Sequence, residues 1–99
     1  MNVKKRVSGS RMELTLEGKF DAVSAPKFES ELEPQLEGIT SLSIDMQSVE
    51  YISSAGLRAL LYLQQTLEES GGSVTVRNVP EVVRNVFEVT GFTDFIATE

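Results

Sequence analysis

Apolar and polar residues alternate from Met12 to Leu16, from Leu42 to Met46 and from Ser73 to Arg77. Period-two alternation marks strands with one buried face. Met12, Leu14 and Leu16, then Leu42, Ile44 and Met46, then Val74 and Val76 are therefore expected to share a core. Val3 and Val7 belong to a preceding edge strand, with Ser8-Gly9-Ser10 as its hairpin turn. Between these runs the period changes. Phe28, Leu32 and Leu36 recur every four residues; Leu57, Leu60, Leu61, Leu63 and Leu67 make a broader stripe; Val82, Val83, Val86, Phe87 and Val89 make a third. Spacing of three and four is that of helices with one apolar side. In the second helix Arg58, Tyr62, Gln65 and Glu69 fall on the opposite, polar side.

Punctuation supplies the boundaries. Gly18 is expected to end its strand, and Ser24 to cap the first helix with Pro26 near its start. Pro34 should bend or end that helix and Gly38 close it. Gln47 to Glu50 reads as a short loop before Tyr51-Ile52. Gly71-Gly72 and Gly91 stop the later helices, and Phe92, Phe95 and Ile96 supply a short closing strand. Strands alternating with helices in this order predict an α/β domain. Its sheet is mixed and largely parallel, with four to five strands covered by helices.

Length and charge narrow the picture. Residues 1–99 make one domain with one core. A net charge of −6 argues against nucleic acid as a partner. Lys4, Lys5, Arg6 and Arg11 are locally basic and read as an edge strand guarded by charge. Glu29, Glu31, Glu33 and Glu37 read as the wet side of the first helix. The chain has no cysteine and no histidine. That removes disulfides, thiol nucleophiles, imidazole bases and zinc sites with sulfur or nitrogen ligands. Missing disulfides in so small a domain point to the cytoplasm, and no apolar run or signal-peptide core points to a membrane. Asp21 and Asp45 have no third acidic residue at ligand spacing, so neither a metal site nor an enzyme is expected.

The chemistry concentrates in Tyr51-Ile52-Ser53-Ser54-Ala55-Gly56-Leu57-Arg58, where strand turns into helix. The first helical turn leaves backbone N–H groups unpartnered at the positive end of the helix dipole. Ser53 or Ser54 can cap it, and a phosphate there would be well solvated. Neither serine starts a capping box, since Gly56 and Leu57 stand three residues on.

Three segments together resemble the STAS domain of anti-sigma factor antagonists and their relatives in sulfate transporters. Gly18-Lys19-Phe20-Asp21 is similar to the family's G-x-[LF]-D element. Leu42 to Met46 resembles the strand whose acidic residue, here Asp45, precedes the functional loop. Tyr51 to Arg58 resembles the loop and helix start written D-S-[ST]-G-L or S-S-A-G-L-R. The chain departs from the best-known members in having Ser53 where they carry aspartate and Ala55 where they carry a hydroxyl.

The resemblance implies an anti-sigma factor antagonist that is no enzyme and needs no cofactor. Unphosphorylated, it binds an anti-sigma factor with serine kinase activity; phosphorylation at Ser54 ends the association, and a metal-dependent serine phosphatase restores it. Ser53, Ser54, Gly56, Arg58, Tyr62, Asp21 and Asp45 are the expected partner-binding residues. Arg58, one turn after Ser54, either pairs with the phosphate or is solvated. Asp21 and Asp45, expected at the rim beside Ser54, either serve the site or act as turn and cap residues. Tyr62 either centres the interface or packs under a loop. No oligomer is required. The alternative is an accessory STAS subunit of a membrane transport complex that docks on its ATPase. A nucleotide sensor is disfavoured because there is no Gly-rich phosphate loop.

Overall fold

The computed structural model describes residues 1–99 as five strands and three α-helices in one sheet-and-helix assembly. The strands are β1 (Asn2–Ser8), β2 (Arg11–Phe20), β3 (Ser41–Ile52), β4 (Ser73–Arg77) and β5 (Ala97–Thr98). The helices are α1 (Ser24–Leu32), α2 (Ser54–Glu69) and α3 (Glu81–Thr90), with 3-10 turns at Glu33–Gln35 and Phe92–Asp94. β1 and β2 form an antiparallel hairpin, and every later pairing is parallel.

Strand order across the sheet equals chain order. Right-handed crossovers that step in one direction place all their helices on one face. Burial agrees with that layout. The alternating residues Met12, Leu14, Leu16, Leu42, Ile44, Met46, Val74 and Val76 join one apolar cluster with the inward residues of the helices. Glu13, Thr15, Ser43, Asp45 and Thr75 point the other way and are only half-buried. No polar or charged residue is buried anywhere. No helix is long and apolar enough to cross a membrane.

Several boundaries differ from those the pattern predicts. β2 does not end at Gly18 but runs on to Phe20, and Gln47 to Glu50 is strand, not loop. Both differences have one cause. A bulge between Thr15 and Glu17 puts an extra residue into β3, and a second irregularity follows at Gly18 and Lys19. The shift leaves Gln47 and Ser48 both exposed, which breaks the alternation and imitates a loop. Gly18 takes φ +103°, a value β-carbon-bearing residues avoid, and stands at the second irregularity, where β2 continues rather than stops. Pro34 lies in the 3-10 turn that ends α1, as its missing N–H requires.

On α3, Val83 and Phe87 are buried and Val86 packs against the core, whereas Val82 and Val89 face water. The closing strand is Ala97–Thr98; Phe95 precedes it and is exposed.

Candidate functional site

β2 and β3 end side by side, with Phe20 opposite Ile52. The Ser53 N–H donates to the Phe20 carbonyl at 2.9 Å and carries the pairing one residue beyond the strand. Ser53 itself is extended (φ −98°, ψ 176°), and its hydroxyl accepts from the Gly56 N–H at 3.4 Å. It is the N-cap of α2, in the conformation and with the bond that caps require. That settles the choice left open between the serines. Ser54 occupies the first helical position, exposed, with the cap bond already made by its neighbour.

Gly56 explains why the helix can begin so close to the sheet. A β-carbon there would stand 2.7 Å from the Phe20 carbonyl oxygen and 2.8 Å from Ile52 Cγ1. The residue is buried, so its place is beneath the expected partner surface rather than on it. Ala55 packs against the core and Leu57 belongs to it, which fixes the rotation of the first turn. Ser54, Arg58 and Tyr62 consequently share the exposed side of α2. Arg58 takes part in none of the three ion pairs of the chain and stands in solvent.

Asp21 lies where the sequence places it, directly after Phe20 and across from Ser53, but its carboxylate is engaged. Oδ1 accepts from the backbone N–H groups of Ser24 and Val23 at 3.0 and 3.1 Å. The Ser24 hydroxyl accepts from the Asp21 N–H and donates to the Lys19 carbonyl. Asp21 therefore orders the entrance to α1, and Ser24 ties the loop back to β2 instead of acting as the N-cap. The bond from Ser24, with that from Val23 behind it, holds the Asp21 carboxyl below the usual carboxylate range.

Asp45 does not join the site. It lies in the middle of β3 opposite Arg77, seven residues before Ile52 and so roughly 20 Å along the strand. Its oxygens accept from the Gln47 N–H at 2.9 Å and from Asn78 Nδ2 at 3.2 Å. Asn78 has φ +53°, so Asp45 steadies the strained turn between β4 and α3. The expectation that it neighbours Ser54 rested on ending β3 at Met46, six residues too early.

Tyr62 is partly exposed, and its hydroxyl donates to Glu33 Oε1 at 2.7 Å. This bond, which favours the neutral phenol, raises its pKa above the ordinary tyrosine value. The hydroxyl is thus tied to the turn after α1 while the ring stays partly exposed. Glu33 carried no sequence signal beyond the polar side of a helix, because its partner is 29 residues away.

A mixed, mostly parallel five-stranded sheet with its three helices in the crossovers is the fold of STAS domains. The chain belongs to the STAS domain family: the family model described as "Mlab, STAS domain" matches residues 3–97. An anti-sigma-B factor antagonist of Bacillus subtilis is 28% identical over 96 residues, covering 97% of this chain and 88% of that one. Its counterpart in Listeria monocytogenes is 30% identical over 87 residues, covering 86% and 75%. The anti-sigma factor antagonist SpoIIAA in its unphosphorylated form superposes with a TM-score of 0.86 at 17% identity, over 99% of this chain and 88% of that one. The phosphorylated form of SpoIIAA, a Bacillus cell fate determinant, does so with a TM-score of 0.77 at 16% identity, over 99% and 91%. Likeness at that identity concerns the fold.

Proposed function

We propose that this protein is an anti-sigma factor antagonist acting in the cytoplasm as a phosphorylation-controlled partner switch. With Ser54 unmodified it binds an anti-sigma factor that is also a serine kinase; phosphorylation of Ser54 releases it, and a metal-dependent serine phosphatase resets it. The observation that carries this reading is the division of labour between the two serines. Ser53 caps α2, so the Ser54 hydroxyl is exposed and not needed to hold the fold. The names of the relatives support the partner.

The physics of a phosphate at that position favours a switch. It adds about −1.5 to −2 charges where a neutral hydroxyl stood. At a helix N-terminus the domain tolerates that charge, because the dipole and the first-turn N–H groups favour it. Arg58, one turn on and unpaired within the chain, is free to approach it. Inside a closely packed protein interface the same charge is costly through desolvation. The domain persists while the complex dissociates.

The test begins with Ser54→Ala as bait in a pull-down from the source cell, which should retain a kinase-type anti-sigma factor. Calorimetric titration of that kinase should show Ser54→Ala binding as wild type does. Ser54→Asp should lose roughly 1.5–3 kcal/mol, about 10- to 150-fold in affinity. Recovery of a transport ATPase instead, or equal affinities for all three forms, would sink the proposal.

A further inference from the structure

β1 is unlike the other strands. All seven of its residues are exposed, although it pairs with β2 along its whole length. Its partners define its two faces. Val3, Lys5 and Val7 stand opposite Leu16, Leu14 and Met12, on the helix side; Lys4 and Arg6 stand opposite Thr15 and Glu13, on the open side. Between β1 and α1 lie two adjoining grooves of about 190 and 340 Å³ that share Val3, Phe28 and Glu31. Leu14 and Leu32 help line the first groove and the 86% exposed Val23 the second. The outer edge of β1 therefore combines unpaired backbone groups with an adjacent trough in which Val3, Phe28 and Leu32 alternate with Lys5, Lys27 and Glu31.

Charge says what can fill it. Four of the nine basic residues lie within residues 1–11, which hold none of the fifteen acidic ones. Lys4 and Arg6 pair with Glu17 and Glu13, yet their side chains remain 73% and 82% exposed. Lys5 has no ion partner. A second copy of this chain is a poor occupant. Antiparallel pairing centred on Lys5 sets Lys5 against its own counterpart and Lys4 against Arg6, and like charges directly opposite are destabilising. Parallel pairing brings each cation near its own copy. The same charges that repel a second copy attract an acidic strand.

We infer that the free edge of β1 is a docking site for an extended acidic segment of another protein, which adds a strand to the sheet. Backbone hydrogen bonds to β1 hold it, as in strand addition generally. Its residues alternate. Those on the open side are carboxylates that meet Lys4 and Arg6; those on the helix side are apolar, lie on Val3 and Val7 and reach the groove. This surface lies on the flank of the sheet and is independent of Ser54.

The test is an NMR titration of the whole protein with two end-capped eight-residue peptides, one alternating valine with glutamate and one alternating valine with lysine. The glutamate peptide should shift the backbone amides of residues 2–8 in a saturable way and slow their hydrogen exchange. It should bind at least tenfold more tightly than the lysine peptide. In the double variant Lys4→Glu, Arg6→Glu that preference should reverse; should the variant melt before assay, the two peptides on the wild type decide alone. Absence of shifts at residues 2–8, or equal affinity for the two peptides, would overturn the inference. So would concentration-dependent protection of the same amides without peptide, which would make the occupant a second copy.

Discussion

Ser54 and Gly56 act by different means although they are two residues apart. Ser54 is the proposed phosphoacceptor, exposed and taking no part in the cap. Gly56 lets α2 start against the Phe20 carbonyl. Ser54→Ala should therefore unfold in urea close to wild type, and peptide mapping after incubation with the cognate kinase and ATP should find one phosphate on Ser54 and none on Ser53. Phosphate on Ser53 at full stoichiometry would overturn the assignment. Gly56→Ala meets backbone on one side and the branched Ile52 on the other, and neither yields cheaply. Overpacking of this kind costs about 1–3 kcal/mol. The urea midpoint should fall accordingly, and kinase binding should weaken because the first turn that presents Ser54 is displaced.

At the scale of elements, α2 is held at its start and at its middle by residues beyond its own span. Its start is secured by the Ser53 cap, and its middle by Tyr62 reaching Glu33 in the turn after α1. Ser53→Ala should cost about 1 kcal/mol, the usual value of a cap, in equilibrium denaturation. Tyr62→Phe separates the Glu33 bond from the partner contact proposed for the ring. It retains the ring but frees Glu33, so thermal stability should drop while partner affinity is retained. Tyr62→Ala should lower both; a variant with both unchanged would take Tyr62 off the partner surface. A similar loop-ordering device precedes α1, where the Asp21 carboxylate holds the first N–H groups that Ser24 was expected to cap.

For the whole molecule, the absence of histidine and cysteine sets the response to pH. Apart from the amino terminus, no group has an ordinary pKa between about 5 and 8. The Asp21 and Glu13 carboxyls are held below their ordinary values, by backbone N–H groups and by the Arg6 guanidinium respectively. A group whose folded pKa is depressed contributes stability fully above its unfolded pKa and loses it as pH falls through the folded value. Tyr62 is raised by its bond to Glu33, so its contribution holds below the ordinary tyrosine value and is lost as pH rises through the folded one. Melting temperature should thus be level from about pH 6 to 9 and decline below about 4 and above about 10. A step near neutrality in the unmodified protein would contradict this. The phosphorylated protein should acquire one, because phosphoserine titrates near pH 6.

Local patterning was enough to read the alternation of strands and helices, the hairpin at Ser8 to Ser10, the α/β class and the helix entrance at Ser53-Ser54. Each depends on periods and caps within a dozen residues, where side-chain direction follows directly from backbone geometry. What only the tertiary structure decided involves pairs distant along the chain. The bulge opposite Leu16 hid the second half of β3, since an extra residue reverses the inside-outside phase without any compositional mark. The hidden length of β3 leaves Asp45 in mid-strand, where it meets Asn78, 33 residues on. The choice of Ser53 as cap followed from its bond to the end of β2, and the engagement of Tyr62 from the position of Glu33. Local periodicity reports which way a residue faces; which residue it meets there is set by the register and crossing of whole elements, and no short window contains that information.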